Sequence, residues 1–85
     1  MTETQEIRLK RLGMRSMRRG IKEMDIILSR FAEAELGAMD AAGLDRYEAL
    51  LDENDQDLYQ WVSGQMEAPE AHADLVARIR RLINA

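Results

Sequence analysis

The chain has 85 residues with one proline, five glycines and no cysteine, a size that fits one small domain burying roughly 60 to 65% of its unfolded surface. The lack of cysteine excludes disulfides and thiolate metal sites, which suits a reducing cytosol, and the lone His72 cannot build a zinc site by itself. Net charge is −4, but residues 1–30 hold eight Lys/Arg against four acids while residues 31–74 hold twelve acids against Arg46 alone, so a charge dipole is expected.

Apolar residues recur at helical spacing and no stretch alternates at period two, so the expected class is all-α, a small compact bundle of five short helices. Helix 1 is predicted over about Thr4 to Arg18, with Ile7, Leu9, Leu12, Met14 and Met17 as its apolar set and Gly20 as a left-handed exit. Helix 2, about Ile21 to Leu36, places Ile21, Met24, Ile27, Leu28 and Phe31 within an arc of about 120° and is the expected central helix. Gly37 ends it. Asp40 is placed to cap helix 3, with Met39 and Leu44 in the two positions of a hydrophobic staple, and Tyr47, Leu50 and Leu51 continue its apolar face. Gly43 weakens that helix. The polar run Asp52-Glu53-Asn54-Asp55 breaks the pattern and supplies acceptors for the start of helix 4, whose apolar face is Leu58, Trp61 and Val62 before Gly64. Helix 5 follows Pro69 with Leu75, Val76, Ile79, Leu82 and Ile83, and its Arg78, Arg80 and Arg81 lie toward the C-terminus, where the helix dipole favours cations. The whole chain, 1–85, reads as a single domain.

Function classes narrow quickly. No apolar run approaches the roughly 18 to 20 residues that cross a bilayer, and the N-terminus has neither a signal nor a transit-peptide pattern, so a soluble cytoplasmic protein without direct membrane insertion is expected. The basic part lacks aromatics to stack bases and the acidic remainder would repel phosphate, which argues against nucleic acid. The run from Asp52 to Asp57 resembles a calcium loop only superficially, because Asp57 and Ser63 stand where glycine and glutamate are needed. No serine or threonine is paired with a histidine for nucleophilic catalysis, and His72 reads as a surface residue near a helix start. An enzyme is therefore not expected, nor any catalytic residue or metal ligand.

One segment stands out, "RRGIKEMD" at residues 18–25. With helix 2 starting near Ile21, Glu23 and Arg30 project to one side of the core direction and Asp25 to the other, while Ile26 points nearly straight out beside Lys22, Glu23 and Arg30. An outward isoleucine among charges fits the centre of a small contact patch, although single exposed apolar residues are also ordinary. Pairing of Arg18 or Arg19 with Glu23 would contribute roughly 0 to 1 kcal/mol if exposed, too little to explain the cluster by stability. The alternatives are a plain helix corner or a rigid knuckle displaying a guanidinium and a carboxylate to a partner.

Arg19-Gly20-Ile21-Lys22-Glu23 resembles the RGxxE signature of the SdhE family of succinate dehydrogenase assembly factors, which promote covalent attachment of FAD to the flavoprotein subunit. Arg18, Asp25, Leu28 and Phe31, the stretch "LLDENDQDLYQW" from Leu50 to Trp61, and Pro69 before a last apolar helix extend the resemblance over about residues 15–83. It implies a five-helix accessory factor rather than an enzyme, binding the flavoprotein of succinate dehydrogenase, fumarate reductase or both. No cofactor is held stably by the factor itself, and the flavin-accepting histidine belongs to the partner. Carried over by residue, Arg19, Gly20 and Glu23 form the core of the partner-binding surface and Arg18 and Asp25 support it; Ile26 and Arg30 are added from the helical projection. An antitoxin-type or regulatory protein-binding module is the alternative.

Overall fold

Thr4 starts the first helix as the sequence suggests, its hydroxyl accepting from the Ile7 N–H at 3.2 Å. In this computed structural model, which describes residues 3–17 and 19–84, five α-helices follow in order with no strand among the described residues. They are α1 (Gln5–Ser16), α2 (Lys22–Glu35), α3 (Ala41–Leu51), α4 (Asp55–Val62) and α5 (Glu70–Ile83), with one 3₁₀ turn, Leu36–Ala38, after α2. The all-α five-helix expectation holds.

The centre is α2, which packs on α1, α4 and α5 and buries Met24, Leu28 and Phe31 completely. Phe31 stacks on Tyr47 of α3 with ring centroids 5.7 Å apart, and Leu12, Leu44, Leu50, Leu58 and Ile79 close around them. Each fully buried side chain of this size contributes about 1.5 to 3 kcal/mol. At the entry to α3, the Asp40 carboxylate accepts from Gly43 N–H at 2.8 Å, and Met39 and Leu44 are both buried as the staple requires. Gly43 has a positive reason to be there: a Cβ would lie 3.2 Å from Asp40 Oδ1 and 3.3 Å from Met39 Cβ.

Several expectations change. Of the apolar set on α1 only Leu12 is fully buried; Ile7, Met14 and Met17 are exposed, because the neighbouring side of α1 is given over to arginines that face α3. Gly20 is not left-handed. The one glycine with positive φ is Gly64 at 84°, in the turn after α4. His72 is buried rather than on the surface, its Nε2 2.8 Å from Glu53 Oε2 and its ring stacked on Trp61.

The charge dipole also dissolves in three dimensions. Arg8, Arg11 and Arg15, on successive turns of α1, meet Asp45, Glu48 and Asp52 on successive turns of α3, with shortest separations of 2.6, 2.7 and 2.7 Å. Two segments of opposite charge form one zipper, since residues spaced by three or four share a helix face.

Candidate partner-binding site

Chain direction reverses between α1 and α2, and the corner is held by side chains from elsewhere. Arg19 lies with its Nε and Nη2 each 2.7 Å from Asp55 Oδ1. Nη1 donates to the carbonyl of Leu51 at 3.0 Å, and Nη2 also donates to the carbonyl of Glu53 at 3.2 Å. Leu51 is the last residue of α3, whose final carbonyls lack partners within the helix, so a guanidinium there satisfies acceptors that would otherwise need water. The other oxygen of Asp55 accepts from the Ile21 N–H at 3.1 Å, just before α2 begins. One carboxylate at the first turn of α4 therefore fastens both sides of Gly20.

Of the two readings of the knuckle, the displayed guanidinium is corrected for Arg19, whose partner is Asp55 and not Glu23. The Arg19 and Asp55 side chains are each only 13% exposed, so the Arg19 guanidinium is directed into the α3–α4 corner instead of being displayed. Gly20 itself is exposed, and a Cβ there would sit 3.3 Å from Asp55 Oδ2. A small residue lets the carboxylate close over the backbone at this point. Arg18 lies outside the described residues.

The outward face of α2 carries the rest. Lys22, Glu23, Ile26 and Arg30 are all exposed, Ile26 at 59%, which agrees with their projection on a helix starting one residue after Ile21. Asp25 is half-buried and accepts from Ser29 Oγ at 3.3 Å, one turn further on. It faces α1 rather than solvent, as the position of Ser29 within 3.5 Å of the Ser16 carbonyl shows. The face offered outward is thus a carboxylate, an apolar side chain and two cations on a helix whose first turn is pinned from behind. An open depression of about 720 Å³ adjoins it, with Met17, Gly20, Ile21, Asn54 and Gln56 among its walls.

Asp55 is the residue that reading the sequence missed as part of the site. Its run was read as a capping segment and as part of the family resemblance, with no site role given to Asp55; Asn54, not Asp55, is the residue that caps α4, accepting from Gln56 N–H at 2.8 Å. No cluster of three His, Cys, Asp or Glu side chains able to hold a metal occurs among the described residues, and no helix there is long and apolar enough to cross a membrane.

Comparison with known proteins gives this geometry a context. A family model described as flavinator of succinate dehydrogenase matches residues 10–83. Among curated proteins, one from Schizosaccharomyces pombe is 44% identical over 68 residues, covering 80% of this chain and 49% of the relative. Another from Scheffersomyces stipitis is 49% identical over 61 residues, covering 72% and 41%, and one from Komagataella phaffii is 34% identical over 85 residues, covering 94% and 45%. All three are named succinate dehydrogenase assembly factor 2, mitochondrial. The chain spans about half the length of these relatives, or less.

Proposed function

This chain belongs to the family of flavinators of succinate dehydrogenase, and on that premise we propose that it binds the flavoprotein subunit of succinate dehydrogenase and promotes covalent attachment of FAD to it. The observation that carries the reading is the outward face of α2, with Glu23, Ile26 and Arg30 exposed on a helix whose start is fastened through Asp55 and Arg19. Preorganised side chains on a rigid element lose little entropy on docking.

The factor acts by selection of a conformation. A protein that binds only one arrangement of an open flavoprotein raises the population of that arrangement, and differential affinity is the sole source of the shift. The α2 face is suited to holding the partner in the geometry in which flavin and accepting side chain meet. Bond formation takes place within the partner, and the factor supplies neither a catalytic residue nor a stably bound cofactor. Fumarate reductase, whose flavoprotein presents the same chemical task, is a further client on this reading, and the cytoplasm is the compartment that a cysteine-free chain suits. The assembly-factor names of the relatives favour this role over an antitoxin-type or regulatory binder.

The test is co-expression with a tagged flavoprotein subunit. The reading expects the two to co-purify and the in-gel flavin fluorescence of the denatured subunit to rise when the factor is present. A subunit that neither retains the factor nor gains covalent flavin would refute it.

A further inference from the structure

Five of the ten arginines in this protein are matched. Arg8, Arg11, Arg15, Arg19 and Arg78 each face a carboxylate at 2.6 to 2.8 Å. Arg30, Arg46, Arg80 and Arg81 are exposed and make no ion pair with any described residue, although the chain holds sixteen acids against twelve bases. Arg30 belongs to the outward face of α2, and Arg80 lies beside Gly64 in the turn after α4. The other two, Arg46 and Arg81, line a cleft of about 360 Å³ together with Arg78, Asp74 and Gly43.

The cleft is built by helical spacing. Asp74, Arg78 and Arg81 follow at intervals of four and three along α5, hence on one face, while Gly43 and Arg46 stand three apart on α3 opposite. Gly43 puts no side chain into the space. Arg78 is held in place: its Nη2 donates to Glu35 Oε1 at 2.7 Å and its guanidinium carbon lies 6.0 Å from the centre of the Phe31 ring. One fixed guanidinium and two exposed ones without an ion pair thus surround a cavity at the small end of the ligand-pocket range. Their mutual repulsion is relieved by an anion.

We propose that this cleft binds the phosphate group of a small molecule, independently of the α2 face. A tetrahedral oxyanion offers several acceptor oxygens and up to two charges to guanidinium forks arriving from two helices, which a single carboxylate does not match. Asp74, on the same rim, accepts a hydroxyl of a phosphate ester.

The experiment is titration of the ¹⁵N-labelled protein with inorganic phosphate and, separately, with ribose 5-phosphate, at constant ionic strength balanced by sodium chloride. Saturable shifts are expected at the amides of Gly43, Arg46, Ala77 and Arg81. The Arg46→Gln/Arg81→Gln double variant should weaken binding at least about tenfold, while Lys10→Gln/Arg15→Gln, which removes the same charge elsewhere, should stay within about twofold. Tighter binding of ribose 5-phosphate assigns the site to an ester, and equal binding assigns it to the phosphate group alone. Shifts that grow linearly without saturation, or that persist in Arg46→Gln/Arg81→Gln, or that fall equally in both double variants, would overturn the proposal.

Discussion

Arg19 and Asp55, 36 positions apart in the chain, form the contact on which the α1–α2 corner rests: two guanidinium nitrogens of Arg19 each lie 2.7 Å from one oxygen of Asp55. Because the second oxygen receives the Ile21 N–H, the start of α2 is tied to the start of α4 through a single side chain. The arginine of the signature is in this way a fastening, and the glutamate is the group left to face outward.

Breaking that fastening should cost stability. Arg19→Met leaves a carboxylate that is 13% exposed without its cation and strips a donor from the end of α3, a change expected to cost about 2 to 4 kcal/mol. Asp55→Asn also leaves a guanidinium that is 13% exposed without its anion but keeps an acceptor for Ile21, and should cost somewhat less, about 1 to 3 kcal/mol. Urea unfolding followed by circular dichroism measures both, and unchanged midpoints in both variants would show that the ion pair does not hold the corner.

Ile26 separates folding from binding. It is 59% exposed and touches no buried cluster, so Ile26→Asp should change unfolding free energy by less than about 0.5 kcal/mol. Its affinity for the flavoprotein subunit should fall at least about tenfold, or about 1.4 kcal/mol. Calorimetry with purified subunit reads the affinity; an unchanged value would remove Ile26 from the interface.

Glycines at two corners should respond to different extents. Gly64 has φ of 84°, and a Cβ there would approach Arg80 Nη2 to 2.9 Å, so Gly64→Ala is expected to lose about 1 to 2 kcal/mol. Gly20 has no positive φ, and its Cβ would meet only Asp55 Oδ2 at 3.3 Å; Gly20→Ala should alter thermal stability little. Melting temperatures of the two variants decide the matter.

The α1–α3 zipper makes stability depend on acid pH. Hydrogen bonds from Arg11 first, then Arg8, hold the Glu48 carboxyl down at about 2, against an ordinary value of 4.5. A depressed folded pKa means that the unfolded chain takes up the proton first, so the contribution is complete above about 4.5 and is lost as pH falls toward 2. Glu48→Gln should flatten the pH dependence of stability across that window, and high salt should do so in part, because the pair is near the surface. Urea midpoints between pH 5 and pH 2 provide the check.

Much of the fold was legible because helical periodicity and caps are local signals. Thr4, Asp40 and the staple of Met39 with Leu44 act as their spacing implies, and the apolar arc of α2 is the centre of the core. Periodicity misled on α1, where Met14 and Met17 are apolar yet exposed, since nothing in a single helix says which side a neighbour will cover. Local reading offered only Glu23 as a partner for Arg18 or Arg19, because the partners of Arg19, 32 to 36 positions distant, are invisible without the fold. The exposed set Glu23, Ile26 and Arg30 follows directly from projection on the helix, whereas Asp55 and the burial of His72 depend on the docking of α4 and α5.

The most direct measurement of the central claim is covalent flavin on the flavoprotein subunit when it is co-expressed with the wild-type chain, with Glu23→Ala or with Gly20→Arg. Glu23 is exposed and its loss leaves the core untouched, so circular dichroism should show Glu23→Ala folded. The account predicts that both variants lose retention of the subunit and return its flavin fluorescence to the level seen without the factor. Full covalent flavin and undiminished binding with a folded Glu23→Ala chain would contradict it.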